Sequence, residues 1–524
     1  MNYRLLSRML GIICFLFAIT MLFSLPWAHP SLGWRKELDF RPTNFEWSGF
    51  WGLLGSSLLS AIVGGIFWFY GRGAAGELFR KEAMATVGLS WMLATVLGAL
   101  PFLLSGTMRD ADTPVSVADA LFESQSGFST TGATILTDLE DPELVPHCIL
   151  FWRSSTHFLG GLGIVVLLVA ILGQGAAGKA MAKAEITGPN KDSAYSRMQK
   201  TAGVFATIYV LLNIVLALIY FLSGMTIFDA LCHAFGTLAT GGFSTYNASL
   251  GKFDSPWIEY LTVVFMVLAG TNFALLLLVA MGKVDRLFKD IEWQIYIAII
   301  SLVTLIVIVF GQYSSDFENL LAAFRYGLFQ VVSIITTTGY GTHDFDRWNN
   351  FGRGVLIVLM FVGGCAGSTG GGMKVIRHVL LAKILRLELE LSYRPRVVRP
   401  LRIGGQTLDD VNLRKQILVY FGLVGAVFAC SWLVLITVEP DSQWTQVVNT
   451  SEGNQLDHKL LDCASAIAAT LHNIGPGLGV VGPTANYAGF APWSKLLFVF
   501  LMMLGRLEMF SVLVLFLPAF WRRS

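Results

Sequence analysis

The sequence predicts an all-α, polytopic membrane protein in which two leading helices are followed by four repeats of helix, re-entrant tip and helix. Three observations carry that expectation. The 524-residue chain is 54% hydrophobic and only 14% charged, too apolar to divide into water-soluble domains. Ten apolar stretches, near 9–27, 49–70, 84–106, 148–173, 201–223, 257–281, 293–313, 352–381, 413–438 and 493–520, are long enough to cross a bilayer, whose core needs about 20 helical residues. Lastly, a Gly/Thr-rich tip recurs four times between these stretches.

In chain order, the first stretch follows Arg4 and Arg8 and could be taken for a signal peptide. No small-residue cleavage site appears at Leu25-Pro26-Trp27-Ala28-His29, so it reads as an uncleaved helix. With the second stretch it forms a leading pair over 1–82. The repeats then occupy 83–200, 201–290, 291–412 and 413–524. Their tips, at 129–134, 239–244, 336–341 and 472–477, read Ser-Thr-Thr-Gly-Ala-Thr, Ala-Thr-Gly-Gly-Phe-Ser, Thr-Thr-Thr-Gly-Tyr-Gly and His-Asn-Ile-Gly-Pro-Gly. An acidic residue stands thirteen positions before the key glycine in three copies: Asp119 before Gly132, Asp229 before Gly242 and Asp462 before Gly475. The third copy has Tyr326 there. Glycine spacings of 110, 97 and 136 fit one repeated unit.

Charge sorts by side. With the N-terminus inside, the cytoplasmic segments hold 25 of the 37 Lys and Arg, the outer segments hold 11, and Arg506 lies within the last span. The excess of Lys and Arg marks the cytoplasmic face, so both termini are expected there. The outer segment 107–147 is acidic and would attract cations. A net charge of +2 leaves no basic surplus for a phosphate backbone, which argues against nucleic acid as a partner. Six scattered cysteines without a C-x-x-C pair suggest neither a disulfide framework nor a zinc site.

Irregular backbone at membrane depth is tolerated only where protein buries it or it lines a water-filled path. Four such tips, one per repeat, invite a ring. A half-helix starting at Asp119 would end near Gly127 or Phe128, with a partial negative charge at its carbonyl end and the aspartate suited to its other end. Four such ends converging on an axis make a site for a dehydrated monovalent cation. The tip backbone can then replace the hydration shell with carbonyl oxygens. Glycine permits the required backbone angles, and threonine would add a hydroxyl oxygen. The run Thr338-Gly339-Tyr340-Gly341 nearly reproduces the potassium-channel filter T-V-G-Y-G, with Thr338 where the valine stands.

On these tips and the two extra leading helices, essentially the whole chain resembles the Trk/Ktr/HKT superfamily of potassium transporters, most closely its bacterial TrkH/TrkG branch. The resemblance implies a pseudo-fourfold pore in the bacterial inner membrane, built from four helix–pore-loop–helix units. It implies K⁺ as the transported ion, held by backbone carbonyls, with no covalent cofactor. The filter would comprise Thr130, Thr131 and Gly132; Thr240, Gly241 and Gly242; Thr337, Thr338 and Gly339; and Asn473, Ile474 and Gly475. The fourth copy, with Asn473, Ile474 and Pro476, departs most from the channel pattern. Less selective K⁺/Na⁺ passage, or cation-coupled transport on the same fold, is the alternative.

Two gate candidates follow. Gly363, Gly364, Gly367, Gly370, Gly371 and Gly372 put six glycines in ten residues of the third repeat's second helix, where each costs up to about 1 kcal/mol relative to Ala. Such a run either packs helices closely or, as the resemblance implies, forms an intramembrane loop obstructing the pore. Arg506, mid-span, needs a partner in the bundle interior or water. A structural ion pair would satisfy it; the resemblance puts it beneath the filter, as an electrostatic barrier or in contact with the glycine loop. Glu508 points to a different helix face. The basic segments 174–200 and 382–415, the latter with Arg386, Arg394, Arg396, Arg399 and Arg402, lie by default near anionic lipid headgroups. The resemblance adds a second use, docking a cytosolic RCK-type (TrkA-like) nucleotide-binding regulator, and implies a homodimer.

Enzyme motifs are discounted. The G-x-G-x-x-G matches at 71–76 and 173–178 follow membrane spans, whereas the dinucleotide fingerprint needs a strand-to-helix turn. An intramembrane enzyme would need a polar catalytic cluster, and no nucleophile–base pair is found. A transporter of inverted repeats would run its repeats in opposite senses; these four run in one sense.

Overall fold

The computed structural model describes residues 1–32, 44–74, 80–163, 198–395, 401–403, 406–408, 411–441, 444, 456–507 and 509–522. The later part of the fourth expected span, most of segment 174–200, Arg396, Arg399, Glu508 and Arg523 lie outside these residues, as do the end of the G-x-G-x-x-G run at 71–76 and all of that at 173–178.

The leading helices, Tyr3–Leu22 and Trp47–Tyr70, form an antiparallel pair. Gly11 and Gly64 face each other at close range: a Cβ on Gly11 would lie 2.9 Å from the Gly64 carbonyl. Small residues let the backbones approach, as helix pairs in lipid require.

Each of the four units then repeats one plan. Their first helices are Arg80–Leu104, Met198–Leu222, Ile291–Tyr313 and Val411–Val438. Their half-helices are Val117–Phe128, Ile227–Leu238, Leu320–Ile335 and Leu456–Leu471. The first half-helix ends where the Asp119 reading places it, but Asp119 is not its cap. Ser116 is, accepting from Asp119 N at 3.2 Å, while Asp119 Oδ2 accepts from Ser116 N at 3.1 Å in a capping box. Thr226 caps the second half-helix, accepting from Asp229 N at 3.1 Å and donating to Asp229 Oδ2 at 2.8 Å. The other two half-helices are 16 residues long against 12 in units 1 and 2, so Asp462 lies inside its helix, where it accepts from Trp444 Nε1 at 3.0 Å.

The second helices are where the structure departs from the sequence reading. Among the described residues, six unbroken helices are long and apolar enough to cross a membrane, and two expected spans are bent pairs: Pro256–Ala269 with Phe273–Ala280 at 105°, and Pro492–Arg506 with Phe510–Phe516 at 116°. The sequence predicts a break only in unit 3, where Asn350–Met360 and Val375–Tyr393 flank the glycine run. The extra break in unit 2 has a physical reason. Asn272 caps the new helix, accepting from Ala274 N at 2.8 Å, and amides from another unit take the carbonyls freed at Ala269 and Gly270.

Packing follows the order of the units. One buried apolar cluster is built mainly from the leading helices and units 1 and 4; a second, mainly from units 2 and 3, also takes in Leu162, Ala468 and Ile474. Besides helices, the described residues form two short hairpins, Met108–Asp110 with Thr113–Pro114 and Leu401–Ile403 with Gln406–Leu408.

Candidate ion pathway

The four tips share one backbone. Thr130, Thr240, Thr337 and Asn473 have φ of 52°, 55°, 58° and 56°, and two residues on, Gly132, Gly242, Gly339 and Gly475 have φ of 81°, 76°, 78° and 99°. The residue between each pair has negative φ. Left-handed angles are rare outside glycine, and four non-glycine residues holding them at equivalent positions mark a conformation imposed by the surroundings.

These tips close into a ring. A Cβ on Gly132 would lie 2.1 Å from the Gly241 carbonyl oxygen, one on Gly242 1.9 Å from that of Thr338, one on Gly339 1.9 Å from that of Ile474, and one on Gly475 2.6 Å from that of Thr131. Each key glycine thus abuts the middle carbonyl of the next unit, in cyclic order, and only a residue without a side chain fits. The tips line one cavity, together with Arg153, Asn247 and Tyr487.

The threonine hydroxyls divide their work. Those of Thr131 and Thr338 bond to Ser129 Oγ at 2.7 Å and to Thr336 Oγ1 at 2.8 Å, the caps of their own half-helices, so they brace the strand instead of adding oxygens to a path. Thr130 Oγ1 and Asn473 Oδ1 are buried without a protein partner. Asn473 Nδ2 donates to Thr131 Oγ1 at 3.0 Å and to the Met502 carbonyl at 2.9 Å, tying tip 4 to tip 1.

Buried polar struts set the seams between units. Arg153, 1% exposed, bonds to Glu123 Oε1 at 2.5 Å and to the Ser244 carbonyl at 3.0 Å, with its guanidinium 3.5 Å over the Phe243 ring. His157 donates from Nδ1 to the Gly127 carbonyl at 2.8 Å and accepts at Nε2 from Phe243 N at 3.1 Å. Lys495 Nζ meets Asp119 Oδ1 at 2.5 Å, both sealed from solvent, across the seam of units 4 and 1. Tyr340 OH donates to the His233 carbonyl at 3.1 Å, joining units 3 and 2. Sequence reasoning missed all four struts as a set. Part of their signal was there: Arg153 and Lys495 are charges near the ends of apolar stretches, where an unpaired ion is costly.

The glycine run folds back on itself. Gly363 N donates to the Met373 carbonyl at 2.7 Å and Val375 N to that of Gly364 at 3.2 Å, closing the neck of a loop, while Gly367 and Gly372 turn with φ of 74° and 62°. The loop seats on the unit 2 break: Cys365 N donates to the Gly270 carbonyl at 2.9 Å, Thr369 N to that of Ala269 at 3.2 Å, and Phe273 N to that of Gly367 at 3.0 Å. It also reaches the tips. Gly371 N donates to Thr337 Oγ1 at 2.7 Å, and a Cβ on Gly371 would lie 2.8 Å from the Asn473 Cβ. Arg506 Nη1 donates to the Thr369 carbonyl at 2.6 Å and Nη2 to that of Gly160 at 3.1 Å. Arg506 thus contacts the glycine loop; Glu508 lies outside the described residues. The loop therefore touches units 2, 3 and 4, and Arg506 carries the link to unit 1.

Chemically, this is a ring of backbone oxygens at the ends of four half-helices, with a polar loop against it. Among the described residues, no cluster of three or more His, Cys, Asp or Glu could hold a metal ion.

The comparisons agree with this architecture. The TrkH family model, described as "Cation transport protein", matches residues 54–523. The chain is 35% identical to the Trk system potassium uptake protein TrkH of Salmonella typhimurium, over 100% of both proteins. It is 30% identical to the Trk system potassium uptake protein TrkG of Escherichia coli, over 88% of this chain and 89% of the relative. It superposes on the crystal structure of the potassium transporter TrkH from Vibrio parahaemolyticus with a TM-score of 0.82 and 34% identity, covering 100% of each chain. A matching family model over most of the sequence and relatives aligned end to end identify this chain as a member of the TrkH family of cation transport proteins.

Proposed function

We propose that the chain takes up potassium across the inner membrane of a bacterium, with both termini cytoplasmic, through a pore whose selectivity filter is the ring of four tips. The single observation that carries this is the cyclic contact of each key glycine with the middle carbonyl of the next unit. It stacks oxygens from four units around one axis, at the negative ends of four half-helices. A monovalent cation can exchange its water for them without meeting a carboxylate, so it is held yet can leave. The names of the full-length relatives, potassium uptake proteins, favour K⁺ as the ion.

The loop at 363–372 serves as the gate, and Arg506 holds it in place while adding positive charge to the cation path. A cytosolic nucleotide-binding regulator of RCK type acts on the gate from the basic inner segments, and the protein works as a homodimer with one pore per protomer. The test is ⁸⁶Rb⁺ uptake into proteoliposomes, with ion gradients imposed independently of voltage. Assembled protein that moves no cation, with or without the regulator, would sink the pore reading.

A second reading, weaker discrimination of K⁺ from Na⁺ or coupled transport, is favoured by the fourth tip. Asn473 replaces threonine in an otherwise common backbone and turns its amide nitrogen to Thr131. The same uptake assay, run with competing Na⁺, separates the two.

A further inference from the structure

We propose that Glu292 is a positioning residue for ion flux, a latch whose carboxylate joins the glycine loop to the helix Val375–Tyr393 that follows it. This rests on the reading of the loop as gate.

Glu292 is the second residue of Ile291–Tyr313 and is 9% exposed. Its own helix does not need it as a cap, because Asp290 already accepts from Trp293 N at 2.9 Å. Glu292 Oε1 instead accepts from two backbone amides of another segment, Ala366 N at 2.8 Å and Ile376 N at 3.0 Å. Ala366 lies inside the loop, whereas Ile376 lies in the first turn of the helix after it. That turn has unpaired amides, and its cap residue Lys374 supplies no side-chain acceptor to them. One carboxylate oxygen therefore caps the trailing helix and pins the loop at once.

Both bonds go to backbone, so they need no side chain from a run consisting largely of glycine. The trailing helix is bound elsewhere to unit 4, where the Arg377 guanidinium lies 4.0 Å over the Tyr420 ring. A shift of that helix against Ile291–Tyr313 would break the Ile376 bond and, through the Gly364–Val375 neck, strain the Ala366 bond to the same oxygen, loosening this end of the loop; the contacts with Thr337 and the unit 2 break would yield only when the loop itself moves. Glu292 is thus the joint through which motion of the basic inner segment reaches the pore.

The test uses full-length protein in proteoliposomes and ⁸⁶Rb⁺ flux, with Rb⁺ against Na⁺ preference measured in parallel. Glu292→Ala should raise flux at least about tenfold, the population change expected for losing even one of its two charge-assisted hydrogen bonds, with the preference unchanged. Glu292→Gln keeps an oxygen acceptor without the charge and should fall between, since charge-assisted bonds are about twice as strong as neutral ones. In a background lacking residues 367–371, Glu292→Ala should add nothing. If that deletion leaves flux unchanged, the gate reading fails, and this proposal with it. If the deletion raises flux but assembled Glu292→Ala and Glu292→Gln proteins both match the parent, the latch alone is overturned. It is overturned as well if Glu292→Ala raises flux in the deletion background. Should Glu292→Ala not assemble, Glu292→Gln decides the matter by hydrogen exchange: faster exchange over 363–376 supports the latch, and unchanged exchange with unchanged flux refutes it.

Discussion

Gly339 combines the two constraints that make a residue irreplaceable. Its φ of 78° is one that side chains rarely adopt, and a Cβ would sit 1.9 Å from the Ile474 carbonyl oxygen. Backbone strain of about 1–3 kcal/mol would add to the displacement of a carbonyl in the ring. Gly339→Ala should therefore cut ⁸⁶Rb⁺ flux at least about tenfold, while gel filtration still shows assembled protein. Gly341, with positions 3.7 Å away at the nearest, should tolerate alanine far better. Another residue-scale consequence concerns acid. Asp346, in the loop after tip 3, accepts from Gly479 N at 2.9 Å, and burial pushes its carboxyl up from 3.8 to about 6. The folded chain therefore holds that proton more tightly than the unfolded chain does. Its contribution favours folding most below pH 3.8 and is lost as pH rises to about 6. Between pH 4 and 7 the difference in denaturation midpoint between parent and Asp346→Asn should shift in the variant's favour as pH rises; a constant difference would refute it.

At the scale of elements, the second helices are the informative ones. A helix in lipid breaks only where its freed backbone groups find new partners, and in units 2 and 3 the two breaks satisfy each other through the loop. If that loop obstructs the pathway, deleting residues 367–371 should raise K⁺ flux and leave the preference over Na⁺ intact; unchanged flux in assembled protein would remove the gating claim. Arg506→Gln tests the same element from the other side. Loss of the guanidinium removes the bonds to Thr369 and Gly160 and the positive charge, so leak conductance in planar bilayers should increase. The half-helices teach a complementary lesson. The thirteen-residue offset correctly finds equivalent positions, yet only in units 1 and 2 does the aspartate work at the helix start. In unit 4 the helix begins at Leu456, before Asp462.

The whole molecule is held in register by charges buried at the seams. The Asp119–Lys495 pair closes the circle between units 4 and 1. Removing one partner of a buried pair costs about 3–5 kcal/mol, so Lys495→Met should lower the detergent melting temperature. Pairing it with Asp119→Asn, which removes the orphaned charge, should recover part of that loss. If the double variant melts no higher than the single one, the seam does not depend on this pair.

The apolar helices, the leading pair and the positions of four tips with one shared backbone were legible in the chain, because apolar length and a recurring Gly/Thr pattern are local properties. The glycine loop was legible as a break, and Arg506 as a charge that needed a partner. What only the tertiary structure decided is who meets whom. The ring contact of each glycine with the next unit's carbonyl, the break at Gly270, the struts from Arg153 and Lys495 and the clamp from Glu292 all join residues far apart in sequence. A backbone amide or carbonyl can accept any complementary partner, so no pattern along the chain specifies which one it takes. That choice is made by the packing of four units around one axis.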